Sequence, residues 1–146
     1  MSPREYRCTS VTETQSIAAD LANSLPAEIV IALIGNLGSG KTTFTQGFAM
    51  GLGISEHVGS PTFKLVSEYD GKKGKLIHVD TYRLQGIEDF LNIGGEDILG
   101  DPRAIILIEW GDKLESILPP DAMGISFKRI LDVENERVIS IKGLIT

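Results

Sequence analysis

The sequence predicts an α/β domain: a mixed parallel and antiparallel sheet flanked by helices and closed by a C-terminal β-hairpin. Three observations carry this. Ile29–Ile34 is a short, β-branched run, apolar throughout, the pattern of a strand covered on both faces in a parallel sheet. Residues 104–108 repeat that pattern. Two pairs of strand-like segments flank turn-forming residues and supply the antiparallel part. The 146 residues suit one domain with a real core. No internal repeat, low-complexity tract or Pro- or Ser-rich linker divides them, so residues 1–146 are read as a single domain with one site.

Taken in order, Ser10 and Glu13 have the spacing of a capping box, and Val11, Ala18, Leu21 and Leu25 follow helical spacing up to Pro26. Ile29–Ile34 comes next as the central strand. Phe44, Phe48 and Leu52 recur every four residues until Gly51-Leu52-Gly53 stops them, which describes a helix of about three turns. Segments 63–69 and 75–82 flank Asp70-Gly71-Lys72-Lys73-Gly74 and should pair antiparallel. The strand 104–108 follows, and 125–131 with 137–141 around Glu134-Asn135 forms the final hairpin.

Hydrophobic residues make up 42% and charged ones 23%, the mix of a chain that folds by itself. The net charge of −6 opposes unaided binding to a polyphosphate backbone, so DNA is not an expected partner and any RNA would be held by another protein. The longest apolar run is Ile29–Ile34, far short of the roughly twenty residues that span a bilayer. No membrane role is expected. The first ten residues carry Pro, Arg and Glu and lack a secretory apolar stretch, which makes the cytoplasm the expected location. A single Cys8 excludes an internal disulfide framework and a thiolate zinc site, and reads as a small packing residue.

Much of the glycine falls between Gly35 and Gly59, and there the chemistry starts. Gly35-Asn36-Leu37-Gly38-Ser39-Gly40-Lys41-Thr42 matches G-x-x-x-x-G-K-[ST] in full. Glycines let successive N–H groups turn toward phosphate oxygens, and the helix that follows adds its positive end. Lys41 supplies a cation for the β and γ phosphates and the Thr42 hydroxyl a ligand for Mg²⁺. The domain is therefore read as a P-loop NTPase, with ATP and Mg²⁺ as its ligands. Such a loop needs acids at the carboxyl ends of neighbouring strands. Glu109 ends one apolar strand and Asp80 ends Leu76-Ile77-His78-Val79-Asp80; either could instead cap its strand or pair with Arg83 or a lysine.

Ser60-Pro61-Thr62-Phe63 follows at a distance where switch segments occur, and Thr62 offers a hydroxyl for Mg²⁺ or the γ-phosphate. A plain turn explains Pro61 equally well. His57 and His78 lack a cysteine cluster and read as structural rather than as metal ligands. Trp110 packs over the nucleotide, over a partner or into the core. Lys72, Lys73 and Lys75 form the basic cluster of a solvated hairpin tip.

Gly35-Asn36-Leu37-Gly38-Ser39-Gly40-Lys41-Thr42-Thr43, Ser60-Pro61-Thr62-Phe63, His78-Val79-Asp80-Thr81-Tyr82-Arg83-Leu84, Ile108-Glu109-Trp110 and Leu118-Pro119 resemble, in this order and spacing, the TsaE family, formerly YjeE. The resemblance covers nearly the whole chain. It implies a small P-loop α/β domain with a mixed sheet whose ATP hydrolysis supports TsaD and TsaB, the proteins that attach threonylcarbamoyl to adenosine 37 of tRNAs reading ANN codons. It makes Thr42 and Glu109 the Mg²⁺ ligands, Asp80 the residue that orients or deprotonates water, and Thr43 a support of the phosphate site. tRNA is then met only through the partner complex, which hydrolysis resets between turnovers. Asn36 stands where Asp is common in the family, and residues 91–102 match loosely, which leaves the partner-facing surface open.

Other functions compete. A small-molecule kinase needs an acceptor pocket and usually an arginine-bearing lid, for which little chain remains. A GTPase would show an N-K-x-D segment, and none is present. An assembly module that binds ATP only to set a conformation, without significant hydrolysis, uses the same residues.

Overall fold

The computed structural model describes residues 4–26, 28–35, 40–56, 58, 65–81, 84–109, 114, 116–129 and 137–143. Apolar alternation sets its architecture. The elements run β1 (Arg4–Cys8), α1 (Val11–Ser24), β2 (Ile29–Ile34), α2 (Lys41–Gly51), β3 (Val66–Asp70), β4 (Lys75–Asp80), α3 (Ile87–Asn92), α4 (Gly95–Leu99), β5 (Ala104–Glu109), β6 (Met123–Arg129) and β7 (Arg137–Gly143). The strands form one seven-stranded sheet in the order β1-β7-β6-β2-β5-β4-β3. Its centre, β6-β2-β5-β4, is parallel, and the strands beyond it on either side pair antiparallel. The expected mixed sheet, central β2 and C-terminal hairpin are all present.

Because side chains alternate across a strand, the apolar runs serve two cores. Ile31, Leu33 and Leu107 face one way and pack with Ala18 and Leu21 of α1 and Phe44 and Phe48 of α2. Val30, Ala32, Ile106 and Ile108 face the other way and pack with Phe90 of α3, Leu114 and Leu118. Burial on both faces accounts for the unbroken apolar character of β2 and β5. Cys8 is fully buried, as a packing residue should be, and that burial raises its thiol pKa. Among the described residues no helix is long and apolar enough to cross a membrane.

α1 begins where the capping residues placed it: the Ser10 hydroxyl accepts from the Glu13 amide at 3.1 Å. The Glu13 carboxylate is taken up by the Thr9 hydroxyl, so the contact closing this cap is not the reciprocal one of a capping box. Val11 departs from expectation. It is 49% exposed, because the core under α1 starts at Thr14 and the first turn projects past it. β1 has no counterpart in the sequence reading, since an edge strand that pairs only with β7 can be polar, as Arg-Glu-Tyr-Arg is. The short α3 and α4 also went unread. With six and five residues they are too brief to show a period, and burial of Phe90 holds the first in place.

α1 and α2 lie side by side, and two glycines one turn apart, Gly47 against Gln15 and Gly51 against Ala19, set their separation. A Cβ on Gly47 would sit 2.4 Å from the Gln15 Cα, an overlap with backbone that no rotamer relieves. Replacing a helical glycine by alanine otherwise gains up to about 1 kcal/mol. Here the steric cost, about 1–3 kcal/mol or more, exceeds that gain. Gly47→Ala is therefore expected to lower the chemical denaturation midpoint. Gly74→Ala, whose Cβ would meet only the Leu52 Cδ2 at 3.8 Å, should stay within about 0.5 kcal/mol of the parent.

Candidate functional site

β2 hands the chain from the buried sheet to Gly35 at its carboxyl end, and α2 begins at Lys41. Gly40 precedes that helix with φ +106°, a left-handed conformation that a side chain would strain. Among the described residues no side chain caps α2 and no acid stands in its first turn, so the positive end of the helix can receive an anion. Lys41 is 4% exposed and its Nζ donates to the Gly35 carbonyl at 2.7 Å. The ammonium thus lies across the loop from its last residue to its first. Asn36, Leu37, Gly38 and Ser39, between those ends, lie outside the described residues, as do His57, Thr62, Arg83 and Trp110.

The acids arrive on the same face of the sheet. Leu76 packs on the α1 and α2 side, so His78 and Asp80, two and four residues on, face that side too. Leu107 does the same for Glu109. Register completes the placement: Glu109 is opposite Leu33 on one side and Asp80 on the other. Glu109 and Asp80 therefore stand side by side at the carboxyl ends of adjacent parallel strands, and Lys41 opens the helix that follows the neighbouring strand β2, the end of the sheet where α/β folds bind ligands. Asp80 is half-buried. Glu109 is 5% exposed and its Oε2 lies 2.7 Å from the Nε2 of His78, itself fully buried.

Thr81 anchors this end of β5. Its amide and its hydroxyl both donate to the Glu109 carbonyl, at 3.2 and 2.8 Å. Neither this contact nor the His78–Glu109 pair was legible in the sequence, because both join side chains or backbone across strands 28 to 31 residues apart. Arg137 was missed for the same reason. At the start of β7 it lays its side chain beside the loop, with Cγ and Nε 3.6 Å from where a Gly40 Cβ would be. Thr43 shares a small open cleft of about 80 Å³ with Gly40, Arg137, Val11 and Thr14. Thr42 and Thr43 are both half-buried on the first turn of α2.

The hairpin lysines serve the surface. Lys73 donates to the Asn23 side chain at 2.9 Å, and Lys75 pairs with Asp101 at 3.2 Å and Glu68 at 3.6 Å. The Asp101 contact raises the Lys75 pKa, while the Arg103 amide and Lys75 lower that of Asp101. Among the described residues, no three His, Cys, Asp or Glu side chains form a ready metal cage. Among the described residues the oxygen donors at this end of the sheet include the carboxylates of Glu109 and Asp80 and the hydroxyl of Thr42. A few hard oxygen donors fit Mg²⁺, which keeps waters and shares phosphate oxygens rather than requiring a full protein cage.

A family model described as "Threonylcarbamoyl adenosine biosynthesis protein TsaE" matches residues 8–139. Relatives carrying the name tRNA threonylcarbamoyladenosine biosynthesis protein TsaE include that of Bacillus subtilis, 37% identical over 98% of this chain and 89% of its own length. The Borreliella burgdorferi protein of that name is 41% identical over 82% of this chain and 85% of its own. A crystal structure of Bacillus subtilis YdiB superposes with a TM-score of 0.78 at 33% identity, covering 98% of this chain and 86% of that one.

The Thr81 hydroxyl gives a local test of how the Glu109 end is held. Thr81→Val removes a buried donor and is expected to cost about 1 kcal/mol in urea unfolding, while Thr81→Ser keeps stability near the parent. Equal stability of Thr81→Val and the parent would show that the Glu109 carbonyl does not depend on this donor.

Proposed function

The chain belongs to the TsaE family of threonylcarbamoyladenosine biosynthesis proteins, and from that membership and its site we propose that it binds and hydrolyses ATP with Mg²⁺ in support of tRNA modification. One observation carries this: α2, with no side-chain cap among the described residues and with Lys41 bonded back to Gly35, follows the strand next to the two whose ends carry Glu109 and Asp80 on the α2 side of the sheet. The nucleotide phosphates would lie along residues 36–43, with the helix amides and Lys41 as donors. Thr42 and Glu109 would hold Mg²⁺, whose contribution when bound is to neutralise phosphate charge and fix the geometry of the transferred group. Asp80, more exposed than Glu109, would orient or deprotonate the attacking water. Thr62 would complete the γ-phosphate side.

Hydrolysis in this reading serves TsaD and TsaB, the partners that carry out threonylcarbamoylation of adenosine 37 in tRNAs reading ANN codons. The threonylcarbamoyl transfer itself needs no phosphate leaving group from this site. ATP turnover would instead reset the partner complex between cycles. The acidic chain, with 20 Asp and Glu against 14 Lys and Arg, supports contact with tRNA through those partners rather than directly. The hairpin-tip lysines support the same view, since Lys73 and Lys75 already have partners within the fold.

Lys41→Ala is expected to weaken ATP binding roughly 100-fold or more, since charge-assisted hydrogen bonds contribute about 1.5–3 kcal/mol each. Titration with a fluorescent nucleotide, on protein shown to be folded by circular dichroism, reads this directly. Unchanged binding and hydrolysis would end the P-loop assignment. Glu109→Gln should raise the Mg²⁺ concentration needed for tight nucleotide binding. Asp80→Asn should leave nucleotide affinity within about threefold and slow turnover about 100-fold or more. The reverse pattern would exchange the two roles.

At physiological salt the isolated chain is expected to show no submicromolar tRNA affinity, with its ATPase rate rising when TsaD and TsaB are added. Asp80 variants should support a single round of modification and fail in repeated rounds. Tight tRNA binding by the chain alone, or full multiple-turnover modification with a hydrolysis-dead variant, would overturn the proposal.

A further inference from the structure

Resting on the reading of Glu109 as a carboxylate that holds Mg²⁺, we infer that His78 is a positioning residue, which donates its Nε2–H to Glu109 and fixes that carboxylate for the metal. The two side chains are diagonal neighbours across β4 and β5: His78 is opposite Leu107, and Glu109 is opposite Asp80. Both lie on the α2 face. A carboxylate only 5% exposed requires a donor, and His78 supplies one at 2.7 Å.

The other ring nitrogen settles which atom carries the hydrogen. His78 Nδ1 is buried and has no hydrogen-bond partner among the described residues. A hydrogen placed there would be a buried orphan donor, and the Nε2 lone pair would face the carboxylate oxygen. The hydrogen is therefore assigned to Nε2. A fold that keeps a wholly buried imidazole with one nitrogen unsatisfied, where an apolar residue would pack without that cost, gains something at the other nitrogen. Asp80 stands in register beside Glu109, and like charges side by side repel. With Oε2 engaged by His78, the Glu109 carboxylate is held against rotation and swing, and its orientation is set before a ligand arrives.

The test uses the full chain with a non-hydrolysable ATP analogue. Nucleotide affinity is measured in EDTA and then across a Mg²⁺ titration, and Mn²⁺ bound in the presence of the analogue is followed by electron paramagnetic resonance. His78→Leu should bind the analogue in EDTA as the parent does, yet need about 10- to 100-fold more Mg²⁺. His78→Gln, which keeps a side-chain N–H, should restore the metal dependence to within about threefold. Combining His78→Leu with Glu109→Gln should be no worse than Glu109→Gln alone, because His78 acts through that carboxylate. If Glu109→Gln shifts the metal requirement and His78→Leu does not, the positioning role is wrong and the metal assignment stands. If Glu109→Gln itself shifts nothing, the assignment of Glu109 fails and the inference with it.

Discussion

The parallel register of β2 between β5 and β6 is the constraint from which the rest of the molecule follows. It sets Leu33 opposite Glu109 and, one strand further, Glu109 opposite Asp80, so the heights of both acids relative to the glycine loop are decided by backbone hydrogen bonding. A slip of one residue in either pairing would send every side chain of the slipped strand to the opposite core and put Ile108 where Glu109 stands. The two apolar cores resist such a slip because each depends on strict alternation in all the central strands. Position of the chemistry and stability of the fold are thus enforced by the same contacts.

Burying the site's polar groups is costly. Lys41, His78 and Glu109 are charged or polar groups almost wholly withdrawn from water, and each is tolerated because a specific partner receives it. Lys41 has the Gly35 carbonyl, Glu109 has His78, and the backbone of Glu109 has Thr81. Burial raises the strength of every electrostatic contact the site makes, since little water remains to screen it. The uncapped start of α2 belongs to the same arrangement. A helix that left its positive end without a cap for stability alone would forgo a gain of up to about 2 kcal/mol.

The antiparallel margins extend the functional centre rather than merely closing the sheet. β1, polar and at the edge, pairs Cys8 with Arg137, and so fixes the start of the strand that brings Arg137 beside Gly40. α1 is tied to the same region through the closeness that Gly47 permits with α2. β1, Gly40 and the start of β7 are therefore neighbours. On the opposite face, Leu91 of α3 and Ile93 after it are exposed.

What the sequence determined by itself is local. Lys41 at the start of α2, the apolar strands β2 and β5, the turn after Asp70 and the acids at strand ends were legible because each depends on residues close together in the chain, whose periodicity and backbone freedom are properties of short peptides, while the turn at Glu134-Asn135 lies outside the described residues. Helix α1 could be placed from Ser10 and its apolar spacing, although Val11 turned out exposed because spacing shows a face and not where the core beneath it ends. The tertiary structure alone decided which acid stands next to the P-loop strand, that His78 serves Glu109, that Thr81 holds the end of β5, that Arg137 lies against Gly40, and that polar β1 is a strand at all. These depend on strand order and register, which arise from packing between distant segments, and no short-range pattern records them.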